Sequence, residues 1–253
     1  MNDMSRTIRP QFEQARLNEA LFRAARAGET ARVREALEAG ADSGAHEMHG
    51  MTPLLAAVQH RRLDVIRLLV EAGADPDGER QGMDGFTPLH MAAQRDNLDA
   101  VSLLLELGAD AAKRTWLTPI DWAVSRPVVE ALVNAGADPG SRCPETGQTP
   151  LHRRACTSMF GPMAALLDAG ADHSTRDLLG RTPLHHVTLG HRRGNVAMAV
   201  ALLLGAGADA QARDFAGETV LQLARRRRDG IALAALGKAG VRGAPAAVER
   251  KAA

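Results

Sequence analysis

Apolar residues in this chain fall into paired short stripes rather than long runs. Between Thr87 and Gly108, the residues Leu89, Ala92 and Ala93 recur at helical spacing. A polar break, Arg95-Asp96-Asn97, separates them from a second stripe of Leu98, Val101, Leu104 and Leu105. The pattern predicts two short helices joined by a tight turn. Thr87 supplies a hydroxyl to cap the first helix, and Pro88 fits its first position, where no amide hydrogen is needed. Gly108 ends the second, because glycine takes the left-handed C-terminal conformation without strain.

The same grammar recurs along the chain. "TPL" or a variant begins at Thr52, Thr87, Thr118, Thr149, Thr182 and Thr219, in steps of 35, 31, 31, 33 and 37 residues. A second word, "GAD", begins at Gly40, Gly73, Gly108, Gly136, Gly170 and Gly207. Thr52 lies 21 residues before Gly73, as Thr87 does before Gly108 and Thr149 before Gly170. Two words held at one offset and repeated near a 33-residue period are the mark of a repeat architecture.

These residues resemble the ankyrin repeat, a helix–turn–helix with a hairpin loop that carries T-P-L-H and G-A-D at these offsets. The resemblance implies an all-α solenoid of about seven units, since one such unit cannot bury its own core and must stack on its neighbours. The expected organisation is an N-terminal extension (1–16), a cap (17–42) in which Leu21, Ala24, Ala25, Val33 and Leu37 match the pattern, and repeats near 47–75, 82–110, 113–138, 144–172 and 177–209. A polar C-terminal cap (214–242), where "GAD" has become Gly240-Val241-Arg242, and a tail (243–253) complete it. Unit four is cut short: Thr118 to Gly136 is 18 residues, and Trp116 stands where other hairpins have Gly50, Gly85, Gly147, Gly180 and Gly217. Unit six carries four extra residues in its inter-helix turn, LGHRRGN (189–195).

Composition adds limits. A formal net charge of +1, from 31 basic and 30 acidic residues, gives the whole chain no pull toward nucleic acid or acidic lipid. All but three of the basic residues are arginine, and with no tyrosine and abundant alanine and glycine the usage points to a GC-rich, bacterial genome. Two cysteines, Cys143 and Cys156, make no disulfide framework, and the longest apolar run, 196–208, is too short to span a bilayer. The expected setting is the cytoplasm, or another cell reached by a dedicated secretion system, and the expected state a monomer with no cofactor.

The stretch TPLHRRACTS (149–158) raises the question of chemistry, because His152 and Cys156 stand four apart. A metal site or Cys/His catalysis built from His152, Cys156, His185, His186 and His191 is the rival reading. A metal needs three or four converging ligands, and this unit offers two. His90, His152 and His185 all hold the fourth place of the same word, and in the family that histidine hydrogen-bonds backbone in the adjoining loop. The same role is expected of them here, with no catalytic or metal site. Arg153 and Arg154, in places where small apolar residues usually pack, are expected to bury their stems and keep their heads in water.

Without chemistry, function has to be argued from surface. The resemblance places variable contact positions at the hairpin tips before "TP" and just after the first helix. The expected partner-binding residues are Met48, Met51, Met83, Phe86, Gln94, Arg95, Trp116, Leu117, Gln148, Leu178, Arg181 and Phe215. Methionine, aromatics and arginine are enriched in the cores of protein interfaces. The chain is therefore expected to be a non-enzymatic protein-binding module, acting as a bacterial inhibitor, immunity protein or regulator, or as a secreted effector on host proteins. No nucleic acid or membrane partner is expected; Arg225–Arg228 and the 189–195 turn are expected to be solvated.

Overall fold

The computed structural model describes residues 4–242 apart from 81, 83, 84, 115 and 191–194, with backbone alone at 4–10 and 48. The described residues form fourteen α-helices and no strand beyond a single Arg213–Thr219 bridge. They divide into two compact units, Met1–Asp138 and Pro139–Ala253.

The first unit holds α1 (Met4–Ala27), α2 (Thr30–Glu38), α3 (Pro53–Gln59), α4 (Leu63–Glu71), α5 (Pro88–Gln94), α6 (Leu98–Glu106), α7 (Pro119–Trp122) and α8 (Arg126–Asn134). Each pair folds back on itself, and like helices stack: α3 on α5 and α5 on α7, α2 on α4, α4 on α6 and α6 on α8. In the pairs α3/α4 and α5/α6 the first helix is apolar almost throughout. Leu54, Leu55, Ala56, Ala57 and Val58 of α3 are all buried, as are Leu89, His90, Met91, Ala92 and Ala93 of α5. Alanine at these places lets successive pairs approach closely. The second helices bury one stripe only, such as Val65, Ile66 and Leu69 of α4. Residues 4–16, read from sequence as an extension, are helical and continuous with the cap helix, and Gln14 Nε2 donates to the Gly40 carbonyl at 2.9 Å.

The second unit holds α9 (Pro150–Thr157), α10 (Phe160–Asp168), α11 (Pro183–His186), α12 (Val196–Gly205), α13 (Val220–Arg226) and α14 (Gly230–Lys238). Here α9 packs on α11 and α11 on α13, while α10 packs on α12 and α12 on α14.

Both helix ends follow the sequence grammar. The Thr52 hydroxyl accepts the Leu55 amide at 3.1 Å, and Asn97, Asn195 and Asp229 cap second helices through the amides of Ala100, Met198 and Ala232. Gly73 and Gly108 close α4 and α6 at φ 93°, in the left-handed region. The two irregular units have visible causes. In unit four the missing residues cut α7 to a single turn, after which Ala123 is extended and Pro127 enters α8 at a position that tolerates proline. In unit six α11 is equally short and unwinds through Val187–Gly190, where the Cα of Gly190 lies against the Cys156 carbonyl; a Cβ there would fall 1.4 Å from that oxygen.

Candidate functional site

The register histidines settle what the word "TPLH" does. In His90, His152 and His185 the Nδ1 atom accepts the amide of the preceding capping threonine at 3.2 Å, so each neutral ring carries its proton on Nε2. Nε2–H then reaches a carbonyl of the next hairpin: Leu117 at 3.2 Å, Arg181 at 3.0 Å and Glu218 at 3.2 Å. Burial pushes the imidazoles of His90 and His152 down to about 4, and that of His185 in the same direction. With both nitrogens engaged, these rings are structural clasps between one repeat and the next. Asp121 takes the histidine's place in unit four, its Oδ2 accepting the Thr118 amide at 3.0 Å.

His186 does something different. Its Nε2–H donates to Asp177 Oδ2 at 2.8 Å with both side chains buried, and its ring meets His152 edge-on at 5.0 Å. Burial would raise the Asp177 carboxyl, but the bonds from His186, Arg181 and Leu179 outweigh it and hold the group at about 2. Among the described residues no three His, Cys, Asp or Glu side chains are grouped to hold a metal ion; His191 lies outside them. Arg153 and Arg154 are half-buried, the latter 3.8 Å from the Met159 sulfur.

The surface with the strongest apolar exposure is built by the hairpins of the second unit. Asp177 and Asp214 each open a tight turn: Asp177 Oδ1 accepts the amides of Leu179 and Arg181, and Asp214 Oδ1 those of Ala216 and Glu218. The turns close with Gly180 and Gly217 donating to the Asp177 and Asp214 carbonyls. What lies between aspartate and glycine is therefore pushed outward. Leu178, Leu179 and Phe215 are 57%, 55% and 78% exposed. Successive tips are tied by backbone bonds, Leu178 N–H to Thr146 and Phe215 N–H to Leu179, and the Phe215 ring lies over Gly180, where a Cβ would come within 2.6 Å of it.

Three arginines run along the same edge. Arg142 donates to the Arg176 carbonyl at 2.5 Å, Arg176 to the carbonyls of Arg213 at 2.6 Å and Gly180 at 2.7 Å, and Arg213 to that of Gly217 at 2.6 Å. Arg181 is paired with Asp214 at 3.4 Å.

The residues expected to bind a partner are thus placed unequally. Leu178, Phe215, Gln94, Arg95 and Trp116 are exposed, the last by 46%. Gln148 and Arg181 are half-buried. Met51, Phe86 and Leu117 are buried, against the expectation of open tips. All three immediately precede the capping threonine, where the chain has already turned inward. Phe86 packs edge-on against Trp122 at 5.5 Å, and the Leu117 carbonyl is held by His90. Met83 and the side chain of Met48 lie outside the described residues. The reading by position missed Leu179 and Arg142, Arg176 and Arg213. The signal was present: RDLLG and RDFAG place an arginine and an aspartate before an outward apolar residue.

Comparison with known proteins agrees with this architecture. The family model for ankyrin repeats (3 copies) matches residues 7–80 and 73–143, and that for a single ankyrin repeat matches 179–215. The 2-5A-dependent ribonuclease of Mus musculus is 47% identical over 58 residues, which is 22% of this chain and only 8% of that protein. Among solved structures, the ankyrin repeat domain of Bcl-3, described as a unique member of the IkappaB protein family, is 25% identical with a TM-score of 0.70, covering 86% of this chain and 97% of that one. The human ASB11 ankyrin repeat domain is 25% identical with a TM-score of 0.73, covering 89% and 99%. Domains of this kind are generally protein–protein interaction scaffolds. By motif, hydrogen-bond register and family match, the chain belongs to the ankyrin-repeat family.

Proposed function

We propose that this chain is a non-enzymatic binding module that takes a partner protein on its hairpin tips and on the groove positions Gln94 and Arg95, serving as an inhibitor, immunity protein or regulator. The observation that carries the reading is the run of Leu178, Leu179 and Phe215 on adjacent tips, more than half exposed and locked in place by backbone bonds. Contiguous exposed apolar side chains on a rigid support are costly in water and mark interaction sites. Rigid support also lowers the entropy lost on binding.

Affinity capture from a cell lysate, with the wild type beside a Leu178→Ser/Leu179→Ser/Phe215→Ser variant, tests it. Proteins held by the wild type and lost by the variant would support the tips; proteins held equally by both would overturn them. Trp116, 46% exposed on the first unit, is a second candidate anchor. If it contacts the partner, Trp116→Ala weakens the captured complex by about 2 kcal/mol or more in a titration. Unchanged affinity with an unchanged melting curve would remove Trp116 from the interface.

A further inference from the structure

The formal charge of +1 conceals a division that follows the two compact units. Residues 1–138 carry fifteen Arg and Lys against twenty-one Asp and Glu, a net of −6; residues 139–253 carry sixteen against nine, a net of +7. The second unit is as basic as many nucleic-acid-binding domains, although the whole chain is nearly neutral.

Among the described residues the excess is not cancelled at the hairpins that carry Arg176 and Arg213. The hairpin aspartates point inward: Asp177 is taken up by His186 and two amides, and Asp214 by Arg181 and two amides. Glu218 is paired with Arg226 at 2.8 Å. The guanidinium groups of Arg176 and Arg213 end on neutral carbonyls, and neither is ion-paired with a carboxylate among the described residues. A guanidinium has five N–H donors, so these bonds fix its position and leave donors for a ligand. Arg142 extends the row beside Leu178, since a Cβ built on Gly147 would meet both side chains, at 3.3 and 3.2 Å. Glu145 is the exposed carboxylate of that first hairpin.

We infer that the hairpin edge of residues 139–253 docks an acidic segment of a partner protein, seating apolar side chains on Leu178, Leu179 and Phe215 and carboxylates on Arg176 and Arg213. The inference rests on the protein-binding reading above and adds the partner's chemistry. Charge complementarity selects the sign, because arginine held in place favours planar bidentate carboxylates. The leucines select protein over nucleic acid. Single strands are bound by basic grooves with several aromatic platforms for base stacking, and this edge has Phe215 alone.

A display library of random twelve-residue peptides, panned on the full chain, tests the inference without presuming a sequence. Recovered peptides are synthesised and titrated by fluorescence anisotropy against the wild type, Phe215→Ser, Arg176→Gln and Arg213→Gln, each first shown by circular dichroism to melt as the wild type does. The expected peptides are net negative and contain Leu, Phe or Trp. Their affinity falls about tenfold or more in Phe215→Ser, and several-fold with each glutamine. Raising sodium chloride from about 50 to 500 mM weakens wild-type binding about tenfold, a result that stands even if the arginine variants fail to fold.

Neutral or basic peptides, acidic peptides indifferent to Phe215→Ser, or no enrichment would overturn the inference. Displacement by a single-stranded oligothymidylate would assign the edge to nucleic acid instead. Self-association in sedimentation, lost in Phe215→Ser, would assign it to a second copy of the chain. If lysate partners depend on the leucines and Phe215 while no acidic peptide is recovered, the binding-module reading survives and the partner chemistry fails.

Discussion

A histidine that donates from Nε2 and accepts at Nδ1 works only while it is neutral, and three of these rings are buried where repeats meet. The consequence for acid stability has a definite sign. Above about pH 6.5 the imidazoles are neutral in the folded and the unfolded chain alike. Below it the unfolded chain takes up protons that folded His90 and His152 refuse until about pH 4, so stability falls across that window as pH is lowered and these groups add no further loss beneath it. For His90 and His152 the loss is on the order of 3 kcal/mol each at most. Melting temperatures measured at pH 7.5, 6, 5 and 4 should therefore decline steadily, and His152→Asn should flatten the decline. A melting temperature constant from pH 7.5 to 4 would refute the clasp role. Asp177, lowered from 3.8 to about 2, adds its own loss as pH falls from about 4 to about 2, and none below that.

At the scale of an element, the lengths of the helices follow from single residues at their ends. Thr87 is buried and holds both the amide and the ring of His90; Thr87→Ala removes the cap and a partner of the clasp together, and should cost about 1–2 kcal/mol in urea unfolding. The turn after α11 is more demanding. A methyl group on Gly190 would overlap the Cys156 carbonyl, a backbone atom that cannot rotate away. Gly190→Ala should cost at least about 2 kcal/mol, in the range of overpacked cores, while Gly237→Ala, with open space at its Cβ, should be neutral or slightly stabilising. Equal midpoints for the two variants would show that the turn gives way freely.

The whole molecule unites two units of opposite charge that also differ in their probes. Both tryptophans, Trp116 and Trp122, lie in the first unit, so intrinsic fluorescence reports that unit while circular dichroism reports the helices of both. The second unit holds two of the three clasping histidines and the net of +7, which acid makes more repulsive. On acidification, helix signal should therefore begin to fall before tryptophan emission shifts. Coincident transitions would mean that the two units unfold as one.

The sequence by itself was enough for the repeat, its period and its helix caps, while the structural role of His90, His152 and His185 came from the resemblance to the family and rests on bonds to the next hairpin. The period and the helix ends depend on short words whose geometry is local: a threonine hydroxyl, a proline ring, a glycine with positive φ. It also carried the truncation of unit four and the long turn of unit six, because lengths can be counted. Only the tertiary structure decided which hairpin side chains face water. Met51, Phe86 and Leu117 occupy tip positions in a linear reading, yet all three are buried just before a capping threonine, Phe86 against Trp122 of the next repeat. Leu178, Leu179 and Phe215 project because Asp177 and Asp214 spend their carboxylates on the turn and on partners from other elements, His186 and Arg181. The charge was equally hidden. A balance summed along the chain is close to zero, and it separates into −6 and +7 only when packing shows where one compact unit ends and the next begins.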